Sequence, residues 1–146
     1  RKVLSEFATK LNYQRPNNLI AVTGTNGKSS IANFYYQILK LNKKKVSSIG
    51  TLGISGINYK KNVSNTTFDP IQINEILSTL KKKKINNVIL EASSHGLEQK
   101  RLDNLNIKTG IFTNLSHDHL DYHHDMKSYF NSKMYLFKNL LKKDNI

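Results

Sequence analysis

The sequence predicts an α/β domain built on a mostly parallel sheet flanked by helices. Short continuous apolar runs, Leu19-Ile20-Ala21-Val22, Val88-Ile89-Leu90 and Gly110-Ile111-Phe112, are each bounded by polar residues. Strands buried on both faces of a parallel sheet read this way. Segments with apolar residues at helical spacing lie between them, and such alternation implies right-handed crossovers. The run Thr23-Gly24-Thr25-Asn26-Gly27-Lys28-Ser29-Ser30 joins a strand pattern to a helix pattern through a glycine loop. That junction is a phosphate-binding arrangement, because glycines let backbone N–H groups approach phosphate oxygens and the helix dipole points its positive end at them.

In chain order, Leu4, Phe7, Ala8 and Leu11 share one face of a first helix, which Pro16-Asn17-Asn18 separates from the strand Leu19 to Val22. The helix after the glycine loop places Ile31, Phe34, Tyr35 and Ile38 on one face, and a short strand, Val46 to Ile49, follows. Residues 50–69, with Gly50, Gly53, Gly56, a Tyr59-Lys60-Lys61 tip and a polar stretch from Asn62 to Thr67, form an extended or hairpin excursion. Pro70 opens a helix with Ile73, Ile76, Leu77 and Leu80 in register, since proline suits a first helical turn. A last helix covers about Asp125 to Lys142, with Phe130, Met134, Phe137 and Leu141 facing inward.

Composition bounds the function. The 146 residues, 38% hydrophobic, suffice for one domain with a core. The first residue is Arg1 and the end is a lysine-rich helix pattern, so a piece of a longer polypeptide is expected. The absence of cysteine excludes disulfides, thiolate metal sites and cysteine nucleophiles. No apolar run approaches the roughly 20 residues that cross a bilayer, and no signal peptide opens the chain. A cytoplasmic monomer without membrane insertion is the expectation. The net charge of +13 is almost all lysine, in runs at Lys43–Lys45, Lys81–Lys84 and Lys142-Lys143. These fall at helix ends, where cations offset the negative terminus, and no nucleic-acid motif accompanies them. No nucleic-acid partner is expected; a basic surface can still steer anionic small molecules.

Three polar clusters follow the three apolar runs, where an open parallel sheet gathers ligands. They are the glycine loop, Glu91 with Ser93, Ser94 and His95, and Asn114 through His119. Lys28 brings a full charge to phosphate and Ser29 a hydroxyl to Mg²⁺, although Val22 stands where the general GxxxxGK[ST] pattern has its first glycine. Glu91 ends its strand and offers Mg²⁺ a hard oxygen ligand. The stretch His117-Asp118-His119-Leu120-Asp121-Tyr122-His123-His124 approaches an HxHxDH metallo-hydrolase pattern, but Tyr122 displaces the last histidine. His123 and His124 are read as loop surface.

Taken together, Thr23–Ser30, Asn65-Thr66-Thr67, Glu91-Ala92-Ser93-Ser94-His95-Gly96-Leu97 with Gln99 and Arg101, Asn114-Leu115, Asp118–His123 and Lys133 resemble the central domain of the Mur ligases. The resemblance covers nearly the whole chain, and within the family it is greatest to members that add the third residue of the peptidoglycan stem peptide. It implies an ATP-dependent amide ligase that joins UDP-MurNAc-dipeptide to an amino acid, diaminopimelate or lysine, through an acyl phosphate. By the same resemblance Gly24, Thr25, Asn26, Gly27, Lys28, Ser29 and Ser30 hold ATP. Ser29 and Glu91 hold one Mg²⁺, and His119 holds a second with the help of a Lys133 carbamylated by CO₂. Lys28, His119 and Lys133 are then the catalytic set, and Asn65, Thr66, Thr67, Ser93, Gln99 and Arg101 grip the UDP-linked substrate. The chain would be a partial central domain, inactive without an amino-terminal uridine-recognition domain and a carboxyl-terminal domain. Departures are Ser29-Ser30 for Thr-Thr, Phe68 for a proline, and Ser116-His117 for Thr-Arg. The competing readings are another Mur ligase, a folylpolyglutamate-type ligase sharing the glycine loop, and a basic NTPase stimulated by nucleic acid.

Overall fold

The structure, a computed structural model, describes residues 2–11, 14–58 and 66–141. Five strands, β1 (Asn18–Thr23), β2 (Val46–Gly50), β3 (Gly53–Ile54), β4 (Asn87–Glu91) and β5 (Thr109–Phe112), form one sheet in the order β3-β2-β4-β1-β5. Every pairing is parallel except β2 with β3, a tight hairpin that pairs Ile49 with Ile54 and Gly50 with Gly53. This hairpin turns at Thr51-Leu52, at the start of the expected excursion of residues 50–69, whose expected tip, Tyr59-Lys60-Lys61, lies with Asn62 to Asn65 outside the described residues.

Helices are α1 (Lys2–Leu11), α2 (Lys28–Leu41), α3 (Pro70–Lys82), α4 (Ser94–Glu98), α5 (Leu120–His123) and α6 (Met126–Tyr135), and a widened π-helical turn, Leu136–Leu140, continues α6. The apolar strands divide their side chains between two layers. Leu19 and Ala21 of β1 and Val88 and Leu90 of β4 enter the larger core with Ile73, Ile76, Leu77 and Leu80 of α3. Val22 of β1 and Ile89 of β4 point the other way, onto Ala32 of α2. Alternation in a strand buried on both sides produces this split. α3 begins where proline permits it, and the Asp69 carboxylate accepts from the N–H groups of Ile71 (2.9 Å) and Gln72 (3.0 Å), satisfying two donors the first turn leaves free.

Several expected faces differ. On α1 only Ser5 and Ala8 are buried among the described side chains, whereas Leu4, Phe7 and Leu11 are exposed; the Ser5 hydroxyl donates to the Asp103 carbonyl at 2.6 Å. On α2 the sheet receives Ala32, with Ile31 and Tyr35 beside it, and Phe34 and Ile38 face outward. On α6 the inner face is Tyr129, Ser132 and Lys133, followed by Leu136, not Phe130 and Met134. β5 is an edge of the described sheet, so Gly110, Ile111 and Phe112 are only half-buried and Thr109 is exposed, unlike the buried residues of β4. Periodicity counts apolar residues but cannot say which neighbour arrives, and a polar residue with a partner displaces an apolar one from the inner face.

Candidate active site

β1 lies between β4 and β5, in registers that pair Val22 with Glu91 and Thr23 with Phe112. The loops leaving the carboxyl ends of these strands therefore start at one height on one rim, where the sequence clusters were expected to meet. The glycine loop turns into α2 at Gly27, whose φ of +85° is a left-handed conformation that glycine adopts without strain. Lys28, the first residue of α2, folds back over the loop, and its ammonium donates to the carbonyls of Gly24 (2.9 Å) and Thr25 (2.7 Å).

The loop after β5 braces the glycine loop from the far side. Thr25 N–H donates to the Asn114 carbonyl and Asn26 N–H to Asn114 Oδ1, both at 2.9 Å. The Thr113 hydroxyl donates to the Asn26 carbonyl at 2.6 Å. Thr25 Oγ1 accepts from Ser116 N–H at 3.0 Å and from the Tyr129 hydroxyl at 3.1 Å. Ser116 thus meets the loop through its backbone, which the Thr-to-Ser departure leaves intact, and His117 is exposed.

Glu91 is 3% exposed. Its carboxylate accepts from the Ser29 hydroxyl (3.0 Å), the Thr51 N–H (3.1 Å) and the Thr51 hydroxyl (3.1 Å). A Cβ on Gly50 would overlap this carboxylate, so the bare glycine backbone of β2 makes its space. Thr51 was not singled out from the sequence, though it follows the strand Val46 to Ile49 by two residues and so lies on the same rim. Three neutral donors orient a buried anion without neutralising it. Ser29, Thr51 and Glu91 form an oxygen-rich set that suits a hard divalent cation. Among the described residues no three His, Asp or Glu side chains converge on one point. A Mg²⁺ ion here fits only as Mg²⁺ is usually held, by one or two protein oxygens with phosphate and water completing the shell.

Lys133, read from spacing alone as a helix-surface lysine, has 0% exposure. Its ammonium donates to the Gly24 carbonyl at 2.8 Å, the same oxygen that receives Lys28, and lies 4.1 Å from the centroid of the Tyr129 ring. Burial first, and the Lys28 charge second, push its pKa down from 10.5 to about 7, with Asp118 opposing. Burial also lowers the Lys28 pKa, while Glu91 and Asp118 raise it. A lysine that gives up its proton near neutrality supplies the free amine that adds CO₂; as an ammonium it repels a metal ion.

His119 has φ of +53° at the entry to α5 and is half exposed, with Nε2 3.6 Å from Asp118 Oδ2. The His95 ring lies 5.1 Å from His119, 4.0 Å from Tyr122 and 5.4 Å from His123. His123 is 3% exposed, which corrects the expectation of loop surface; His124 is exposed as expected. The His123 ring fills the space beside Tyr129 at 5.2 Å, and burial lowers its pKa.

Of the candidate substrate residues, Thr66, Thr67, Ser93, Gln99 and Arg101 come together, and Asn65 lies outside the described residues. With its own proton given to Glu91, the Thr51 hydroxyl accepts from the Thr66 hydroxyl at 3.1 Å. Thr67 Oγ1 donates to the Glu91 carbonyl (3.0 Å), accepts from Ser93 N–H (2.9 Å) and meets Ser93 Oγ at 2.9 Å. The Arg101 guanidinium donates to the Thr67 carbonyl (2.7 Å) and to Gln99 Oε1 (3.0 and 2.7 Å). Phe68, where a proline was expected, is buried in the larger core and anchors this segment by packing.

The Mur ligase middle domain family matches residues 22–146. The chain is 45% identical over 139 residues to the UDP-N-acetylmuramoyl-L-alanyl-D-glutamate–2,6-diaminopimelate ligase of Wigglesworthia glossinidia brevipalpis, covering 94% of this chain and 28% of that protein. It is 44% identical to the ligase of the same name from Rickettsia bellii, covering 100% of this chain and 32% of that one. A solved structure of a ligase of that name superposes with a TM-score of 0.77 at 35% identity, over 94% of this chain and 28% of the other. E. coli FolC, solved with DHPP and ADP, superposes with a TM-score of 0.63 at 23% identity, over 91% of this chain and 38% of the other, and shares the fold. The chain thus spans about a third or less of the length of these relatives.

Proposed function

The chain belongs to the Mur ligase family through its middle domain, and from that premise we propose that it is the ATP-binding part of a diaminopimelate-adding ligase of peptidoglycan synthesis. The observation that carries the reading is the meeting of Lys28 and Lys133 on the Gly24 carbonyl, at the same rim as a buried Glu91 held by Ser29. The Lys28 ammonium, spent only on neutral carbonyls, keeps its positive charge at the mouth of a phosphate-binding loop, which is where a triphosphate terminus needs it, and Lys133 stands beside it as the amine that would take up CO₂.

The proposed substrates are ATP, a UDP-MurNAc-dipeptide and diaminopimelate, the amino acid named by the relatives. The dipeptide's terminal carboxylate attacks the γ-phosphate, ADP leaves, and the amino group displaces phosphate from the acyl phosphate. An anion attacking a polyanion needs its charge screened, and Lys28 supplies one cation at the loop. Ser29 and Glu91 would hold Mg²⁺, which would supply further neutralisation of the phosphates. Lys28 and the glycine-loop N–H groups orient the terminal phosphate, and Asn114 and Thr113 hold that loop in shape. Thr66, Thr67, Ser93, Gln99 and Arg101 present hydroxyl, amide and guanidinium donors that suit the carboxylate and phosphate oxygens of the acceptor. His119 and a carbamylated Lys133 are proposed to hold a second Mg²⁺. Uridine recognition and delivery of the amino acid are assigned to parts of the longer ligase, and its place is the cytoplasm. In the described residues no helix is long and apolar enough to cross a membrane.

The test is ADP release by the complete polypeptide that carries this chain, with each substrate omitted in turn. The expected result is turnover that requires the UDP-linked dipeptide and diaminopimelate together. ADP release stimulated by DNA or RNA, or by a folate with glutamate, would overturn the reading.

A further inference from the structure

We infer that Thr51 is a positioning residue that aims the Glu91 carboxylate at a divalent cation and links that carboxylate to Thr66; the inference rests on the reading of Ser29 and Glu91 as the Mg²⁺ site. Thr51 follows β2 at the turn of the hairpin, and both of its donors go to one partner. Its N–H reaches Glu91 Oε1 at 3.1 Å and its hydroxyl reaches Oε2 at 3.1 Å. One donor on each oxygen fixes the plane of the carboxylate as well as its place. A carboxylate offers about four lone-pair sites. Thr51 takes two and the Ser29 hydroxyl a third, at 3.0 Å, which leaves room for a cation on the same group. Ser29 is itself read as a ligand, so its contact with Glu91 is the one a cation would disturb. The Thr51 contacts lie outside that exchange, and hydrogen bonds of this outer kind set the direction of a ligating carboxylate.

The hairpin gives Thr51 a fixed base. Gly50 pairs with Gly53 across the turn, and Ser55 N–H donates to the Ser48 carbonyl at 2.9 Å. A Cβ on Gly50 would strike the Glu91 side chain, so bare backbone is what brings Thr51 within reach of the carboxylate. On its other side the Thr51 hydroxyl accepts from the Thr66 hydroxyl at 3.1 Å. Thr67, next in the chain, donates from Oγ1 to the Glu91 carbonyl at 3.0 Å. The segment that offers hydroxyls to the acceptor thus holds Glu91 twice, at its backbone directly and at its carboxylate through Thr51. Thr51 is exposed whereas Glu91 is buried, so a change at Thr51 leaves the core intact.

The test uses the complete polypeptide with Thr51→Val, which keeps the shape and the N–H but removes the hydroxyl, and Thr51→Ser, which keeps both donors. Mn²⁺ stands in for Mg²⁺, and its binding beside a non-hydrolysable ATP analogue is followed by electron paramagnetic resonance of the free ion, without turnover. Thr51→Val is expected to weaken Mn²⁺ about tenfold. The Mg²⁺ concentration for half-activity should rise alike, with kcat at saturating Mg²⁺ kept within about threefold. Thr51→Ser is expected to restore both to within about twofold. Thr66→Val, which takes one neutral hydrogen bond from the chain of hydroxyls, should weaken Mn²⁺ about threefold. Wild-type Mn²⁺ binding in Thr51→Val, an equal loss in Thr51→Ser, or no loss in Thr66→Val would overturn the inference. Unchanged Mn²⁺ binding in Glu91→Gln would overturn the metal site and the inference with it. A hydroxyl-dependent loss of Mn²⁺ binding, in a polypeptide that forms no amide bond, supports the positioning while overturning the proposed reaction.

Discussion

The two rims of the sheet carry the same residue, lysine, in opposite circumstances. At the carboxyl rim Lys28 and Lys133 are drawn inward onto Gly24, and Lys133 is sealed from solvent. At the amino rim Lys40, Lys44, Lys45 and Lys83 line an open groove of about 290 Å³ with Tyr36 and Val46. Lys40 rests 5.5 Å from the Tyr36 ring, and Lys44 and Lys45 are exposed. Residues 7–68 contain no acid at all, so Lys28 on one rim and Lys40, Lys44 and Lys45 on the other have no acidic neighbour in their own stretch of chain. The difference lies in what surrounds them: water screens the groove lysines, whereas strand ends, α6 and a tyrosine ring replace water around Lys133. Counting charges therefore says little about which charges do chemistry.

The comparison breaks most readily through turnover. Lys28→Met in the complete polypeptide is expected to reduce kcat by about 10³-fold, and Lys44→Met or Lys83→Met by less than about twofold; an equal loss from the groove variants, in the same ADP-release assay, would erase the distinction. Glu91→Gln keeps the size and, with its Oε1 toward the Thr51 N–H and the two hydroxyls turned to accept from its amide, the contacts with Ser29 and Thr51, but removes the anion. About a 100-fold loss of kcat is expected, with a higher Mg²⁺ concentration for half-activity, read from a Mg²⁺ titration.

A pH titration sharpens it further. In metal-free buffer purged of CO₂, Lys133 holds a proton in the unfolded chain up to its ordinary 10.5 but in the folded chain only up to about 7. The groups facing it are Lys28, which opposes protonation, Asp118, which favours it, and His123. Between these values the unfolded state binds more protons, so stability rises with pH from about 7 toward 10, by at most ~1.4 kcal/mol per pH unit, and the penalty is fully present below 7. Urea midpoints across that range should show the rise in the wild type and a flatter profile in Lys133→Met. The smallest effect concerns neither rim: Asp69→Ala, which removes the cap of α3, should lower stability by about 1 kcal/mol, measured as a shift of the urea midpoint at constant slope.

Much of this molecule was legible in the chain. Continuous apolar runs located β1, β4 and β5, Pro70 marked the start of α3, and the glycine loop with Lys28 and Ser29 announced the phosphate site, because each depends on neighbours within a few residues. The stripe on α3 was read correctly because α3 packs on a mainly apolar sheet face, with Leu19, Ala21, Val88 and Leu90. The stripes on α1, α2 and α6 were read only in part: Ala8, Ile31, Tyr35, Phe137 and Leu141 pack inward as expected, but the inner faces also accept Ser5, Ala32 and Lys133, whose burial depends on distant partners. Thr51 and Tyr129 escaped notice for the same reason: their partners, Glu91 and Thr25, are 40 and 104 residues away.

By itself the sequence determined the class of fold, the order of its elements and the chemistry available at three loop sites, all set by local propensity, apolar pattern and residue type. Tertiary structure alone decided that Gly50 clears room for Glu91, that Lys28 and Lys133 meet on one carbonyl, and that one of many lysines titrates near neutrality. Those outcomes depend on the removal of water and on distances between segments far apart in the chain, and no local pattern encodes either.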